Sequence, residues 1–146
     1  MKQTVITIAA VLSLAASPVL AENWHVVSRS SATVFMLDVD SITEAGDART
    51  AVLARVPSAG PSADLSYSAG EITIRCAANQ SKPGVEILYG PDGAEQERID
   101  DGYDFDAIAK NSLDAYVKSM LCDGDRGTTT HPSIRAFIEA GRPQPR

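Results

Sequence analysis

Histidine, cysteine and tryptophan are scarce in this chain: two histidines, two cysteines and one tryptophan among 146 residues. His25 and His131 stand far apart, and neither has a cysteine or a second histidine at a zinc-ligand spacing, so a cysteine–histidine metal centre has no basis here. Each histidine fits packing or hydrogen bonding better than catalysis. No GxSxG, HExxH, phosphate-loop or GxGxxG pattern occurs. That removes the motif-borne hydrolases, zinc proteases, nucleotide-triphosphate enzymes and dinucleotide binders. Basic clusters are missing too, and the formal net charge is −6. Such a chain repels phosphate backbones, which excludes nucleic acid and anionic membrane surfaces as partners. Repeats and low-complexity segments are absent. Beyond the N-terminus, no apolar run approaches the ~18 residues of a membrane span.

What is there begins with the N-terminus. Lys2 supplies a positive start, Val5 to Ala16 form a short apolar core, and Pro18 precedes Val19-Leu20-Ala21. This reads as a secretory signal peptide, residues 1–21, cut after Ala21. No cysteine follows the apolar core, so no lipid attachment point exists, and no stable membrane anchor remains after cleavage. Residues 22–146 are enough for one domain with a core. The removed segment carries Lys2 and no acid, which moves the net charge from −6 to −7. Location is expected to be periplasmic or secreted, with association at the cell surface open. In an exported chain, Cys76 and Cys122 most simply form one disulfide, the alternatives being two free thiols or an intermolecular bond. Closing that loop stabilises by on the order of 4 kcal/mol in the chain-entropy view.

The first part reads as β-structure. Asn23 to Arg29 and Thr33 to Asp40 are apolar-rich runs separated by Ser30-Ser31-Ala32, a hairpin pattern. Thr50 to Val56 follows the turn-forming Ala45-Gly46-Asp47. Pro57 to Asp64 is a Pro-, Gly- and Ser-rich loop. Glu71 to Ala77 alternates, with Ile72, Ile74 and Cys76 on one face and Glu71, Thr73 and Arg75 on the other. Val85 to Tyr89 places Val85, Ile87 and Tyr89 together. Pro91-Asp92-Gly93 is a turn, and a weak sixth strand covers Glu95 to Ile99. From Phe105 the period changes. Ile108, Leu113, Tyr116, Val117, Met120 and Leu121 recur at helical spacing, with Asp104 as N-cap, Asp106 at the positive helix start and Gly124 as stop. Cys76 on the buried strand face and Cys122 at the end of the covering helix are placed to meet. Residues 22–126 form the domain. Residues 127–146 form an extension with one short helix over His131 to Ala140 and a frayed end from Arg142 to Arg146.

Taken in order, Trp24, Leu37-Asp38-Val39-Asp40-Ser41-Ile42, Gly46-Asp47, Tyr67-Ser68, Cys76 and Cys122 resemble the bacterial surface-adhesin protein E family over residues 23 to 123. The resemblance implies a small antiparallel sheet, bent around a C-terminal helix that a disulfide ties to it. With the periodicity, the expectation is an α+β fold of about five to six strands. The family's name-giving members lie on the cell surface and bind host matrix and plasma proteins. Two departures are the missing lipid-attachment cysteine and the continuation past Cys122.

The stretch FMLDVDSI holds the one pair of carboxylates that invites chemistry. On an uninterrupted strand, Asp38 and Asp40 point the same way, roughly 7 Å apart. A metal-dependent hydrolase needs a further ligand, base or nucleophile, and no motif supplies one. The favoured reading is that the strand leaves the core at Asp38, with Asp40 or Ser41 capping a turn. Asp92 to Asp106 carries seven carboxylates against Arg98 without the spacing of a calcium loop, and reads as a solvated loop and helix start. Asp123-Gly124-Asp125 is a helix-ending turn. Trp24 reads as core or dimer contact rather than as a ligand platform. The expected function is therefore a non-enzymatic, exported binding module, without catalytic, cofactor or metal residues. Its protein partner would engage a sheet edge or the loops Pro57 to Asp64 and Gly90 to Asp101. The other reading is a periplasmic accessory or structural protein of an envelope assembly. Sheet edges leave homodimerisation open.

Overall fold

The computed structural model describes residues 22–144. The signal peptide assigned to residues 1–21 lies outside them. The elements run β1 (Trp24–Arg29), β2 (Thr33–Ala45), β3 (Ala48–Pro57), β4 (Tyr67–Arg75), β5 (Gln80–Tyr89), β6 (Glu95–Ile99), β7 (Asp106–Ala107), α1 (Leu113–Lys118), a π-helical segment (Ser119–Asp123), β8 (Thr130–His131) and α2 (Ile134–Glu139). The strands form one open antiparallel sheet in the order β6-β5-β4-β3-β2-β1-β8, and β7 pairs with the far end of β5. The five to six strands expected are present, β2 to β5 longer than expected, with the two-residue β7 and β8 added.

The sheet is buried on both sides, which explains the unbroken apolar run Val34-Phe35-Met36-Leu37 in β2. Val34 and Met36 pack on one face with Trp24, Ala54 and Val56, beneath Phe137 and Ile138 of α2. Leu37 packs on the other with Leu53, Ile72 and Ile74, beneath Val117 and Leu121. The second face carries the disulfide. Cys76 bonds to Cys122 with a Cα–Cα distance of 5.9 Å, joining the end of β4 to the π-helical segment. The wider π turn also re-phases the chain, so that Met120 and Leu121 are both buried while Cys122 reaches Cys76. Gly124, left-handed at φ +78°, stops the helix as expected.

Four expectations are corrected. The helix does not begin at Phe105, and Asp104 is not its cap. Asp106–Ala107 pairs with Gln80–Ser81, and Phe105 lies under the Arg75 guanidinium, 3.7 Å from ring centre to the cation. Asn111 then turns left-handed (φ 57°), and Ser112 caps α1 by accepting from the Ala115 N–H at 3.1 Å. Strand β2 does not end at Asp40 but runs to Ala45. Between the pairs Asp38↔Val52 and Thr43↔Thr50, residues 39–42 bulge opposite Ala51. Within that bulge the Ser41 hydroxyl accepts from Val52 N–H (2.9 Å) and donates to Asp38 C=O (2.7 Å), replacing lost ladder bonds. β4 starts earlier, at Tyr67, and stops at Arg75, leaving Cys76 in the turn that follows.

The fourth correction concerns Arg142, expected at the start of a frayed end. It is 5% exposed, and its guanidinium donates to the carbonyls of Gly60, Pro61 and Asp64 at 2.9–3.3 Å. The short helix expected after His131 exists as α2, capped by Ser133 through the Ala136 N–H. Ile134, Phe137 and Ile138 are buried in the same core as Trp24. Each such side chain contributes roughly 1.5–3 kcal/mol by burial, so the segment after residue 127 is part of the packing of the sheet.

Candidate functional site

α2 covers only part of its face. Beside it, β1 to β6 leave a solvent-open cleft of about 490 Å³. Direct register lines up Trp24, Asp38, Val52 and Glu71 across β1 to β4. The next row sets Ala69 beside Ile87 and Ile87 beside Arg98. Beyond it, Tyr67 and Tyr89 are cross-strand partners whose rings stack at 4.4 Å. The floor is therefore aliphatic, and the rim mixes aromatic rings with charge. Gly70 is required beneath it: a Cβ there would lie 2.8 Å from the Val85 carbonyl oxygen, where β5 bulges toward β4.

Asp38, singled out from the sequence, lines this cleft and is 7% exposed. Its Oδ1 accepts from the backbone N–H of Asn23 (2.9 Å) and of Asp40 (3.1 Å), which fixes the carboxylate. Its Oδ2 takes no hydrogen bond from a described residue. Nor is it one of the sealed polar atoms that lack partners, which are His25 Nδ1, Arg29 Nε and Arg142 Nε. Asp38 as a whole is part of the cleft lining. Asp40 does not join it: Asp40 is exposed, and only its backbone meets Asp38. Among the described residues, no group of three or more His, Cys, Asp or Glu is disposed to hold a metal ion.

Sequence reasoning missed the other lining residues. Glu71 was legible only as an outward residue of an alternating strand. It is exposed on the rim, two strands from Asp38 and so roughly 10 Å away. Glu22 accepts from the Trp24 indole N–H at 2.8 Å. Arg98 is engaged by Glu95 through two bonds of 2.5 and 2.8 Å. Burial, then the neighbouring Tyr89 and Glu22, push the Tyr67 hydroxyl up to about 12, so it stays protonated and neutral across the physiological range.

The remaining sequence candidates are dispersed. Carboxylates of the Asp92–Asp106 run bond locally: Asp92 to Ala94 N–H, Asp100 to Gly102 N–H, Asp106 to Ala107 N–H. The loop after Pro57 is held down by Arg142. His25 and His131, read as isolated, lie on neighbouring strands one register step apart. His25 is buried, and His131 meets the Phe137 ring edge-on at 4.9 Å. Burial, and then the charge of His25, hold His131 below its ordinary value. Trp24 is buried in the core, as its favoured reading allowed, and also lines the cleft.

Comparison with protein-family models, with curated proteins and with solved structures gave no match in any of the three. Among the described residues, no helix is long and apolar enough to cross a membrane. The Cys76–Cys122 disulfide belongs with an oxidising, non-cytoplasmic compartment.

Proposed function

We propose that this chain is an exported, non-enzymatic binding module of the bacterial cell envelope that engages a protein partner. The observation that carries the reading is the open cleft beside α2: an aliphatic floor on rigid strands, with a few polar groups at its rim. The rim groups are not arranged as nucleophile, base and orienting partner, because Glu71 and Asp38 stand two strands apart and Tyr67 is held protonated. Resemblance of residues 23 to 123 to the surface-adhesin protein E family supports the same reading and extends it to host matrix or plasma proteins as partners. The disulfide supports export.

A second reading, a periplasmic accessory subunit of an envelope assembly, is favoured by one specific observation. The chain departs from the surface-adhesin resemblance in having no cysteine at the expected cleavage region around Ala21. Labelling intact cells with an impermeant reagent separates the two. A labelled protein supports adhesion; a protein labelled only after the envelope is opened supports the accessory role. Immobilised residues 22–146 that retain nothing from matrix, plasma or envelope extracts would remove the binding reading altogether.

A further inference from the structure

We propose that the open-face cleft receives a basic side chain, arginine or lysine, presented by an extended segment of the partner protein. This rests on the binding-module reading and names the chemistry of the partner. Charge complementarity chooses the occupant. Among the described residues, three carboxylates, from Glu22, Asp38 and Glu71, line the cleft, against one lining cation, Arg98, which is paired with Glu95 through two hydrogen bonds. An anion meets net repulsion there, and a purely apolar group takes water away from the Asp38 carboxylate without offering it a partner.

The geometry fits an alkyl stem with a charged head. Val52, Ala69 and Ile87 give an apolar floor along which the methylenes of lysine or arginine lie. Asp38 is a prepared acceptor at its end. Two backbone N–H groups orient Oδ1 of this cleft-lining carboxylate, and Oδ2 accepts from no described residue. Such fixed charge-assisted acceptors lose little entropy on binding. Glu71 on the rim, roughly 10 Å from Asp38, offers a second carboxylate to the chain that carries the basic side chain. At about 490 Å³ the cleft exceeds the needs of one side chain, which leaves room for the backbone that carries it.

The only tryptophan, Trp24, lies in the cleft wall, so its emission reports occupancy directly. Residues 22–146 are titrated with a blocked pentapeptide of four glycines and a central arginine, and with lysine, norleucine and glutamate versions. A saturable emission change with arginine and lysine, weakened by salt, is expected, with none for norleucine or glutamate. Asp38→Asn keeps an oxygen for both backbone N–H groups and so retains the fold. It and Glu71→Gln are each expected to weaken binding by about tenfold, while Glu44→Gln on the distant hairpin leaves it unchanged. No saturable response to the arginine peptide, an equal response to norleucine, or full binding by both cleft variants overturns the proposal. Free arginine amide binding as tightly as the peptide overturns the assignment to a protein segment. A partner captured from extracts and held undiminished by the Asp38→Asn and Glu71→Gln proteins also overturns it, while leaving the binding function standing.

Discussion

Each face of the sheet is covered by a six-residue helix, and the two are held by different means. On one face the chain extends α1 with the π-helical segment, buries Val117, Met120 and Leu121, and bonds Cys122 to Cys76. On the other, α2 is held by Phe137 and Ile138 in the core and by Arg142, which clamps three carbonyls of the loop after β3. A six-residue helix is roughly 9 Å long and about 10 Å across, enough to cover two or three strands spaced ~4.8 Å apart. The disulfide face adds its longer helical run and Ile108, which leaves a smaller opening of about 180 Å³ beside Leu53, Ile72 and Pro83. The α2 face has no such addition, and its uncovered strands hold the cleft of about 490 Å³. One side is thus closed covalently, and the side closed by packing and by the Arg142 clamp carries the larger opening, the one proposed above for binding.

Breaking each closure separately sharpens the contrast. Phe137→Ala removes the fully buried ring that anchors α2 and is expected to cost about 3–5 kcal/mol in denaturant unfolding. A loss under about 1 kcal/mol would mean that α2 is an appendage. Replacing Cys76 and Cys122 together by serine is expected to cost about 4 kcal/mol, for a loop of sequence separation 46. Hydrogen exchange should then quicken in Leu113–Asp123 while the emission of Trp24, on the opposite face, stays as it was. A shift in that emission would show the two faces to be coupled. Arg142→Met keeps the alkyl stem but loses the clamp, for an expected cost of about 2 kcal/mol, seen as a lowered Tm.

The smallest effect is a pH dependence confined to the α2 face. Burial and the charge of His25 hold His131 below its ordinary value of 6.5. A histidine whose folded value is depressed takes up protons more readily when unfolded. Its contribution is therefore fully present above about 6.5 and is lost as pH falls through that value toward the folded one. Stability should decline modestly below about pH 6.5, and His131→Gln should flatten that part of the profile. An unchanged profile would remove His131 from the packing of α2.

How much of this was legible follows from what each feature depends on. Strands β1 to β6 were readable because alternation and turn residues are local, and the disulfide because only two cysteines exist in the chain. The helix start was not, since Ile108 happens to continue the helical spacing of Leu113 and Val117 while Asn111 and Ser112 break and cap the backbone there. The bulge in β2 was hidden for a related reason. Nothing in FMLDVDSI shows that the Ser41 hydroxyl can stand in for a ladder bond and carry the strand past Asp40. Asp38 was considered together with Asp40, which the structure places outside the cleft; the other strand carboxylate lining it is Glu71, which only the register of three strands brings to the same face. The burial of Arg142 has the same origin, because its partners are about eighty residues earlier in the chain.

An amide chemical-shift map of residues 22–146 titrated with the arginine pentapeptide tests the division between the faces most directly. Shifts at Trp24, Asp38, Glu71 and Ile87, with Leu113–Asp123 unmoved, are the predicted result. Shifts centred on α1 and the disulfide, or none at saturating peptide, would contradict it.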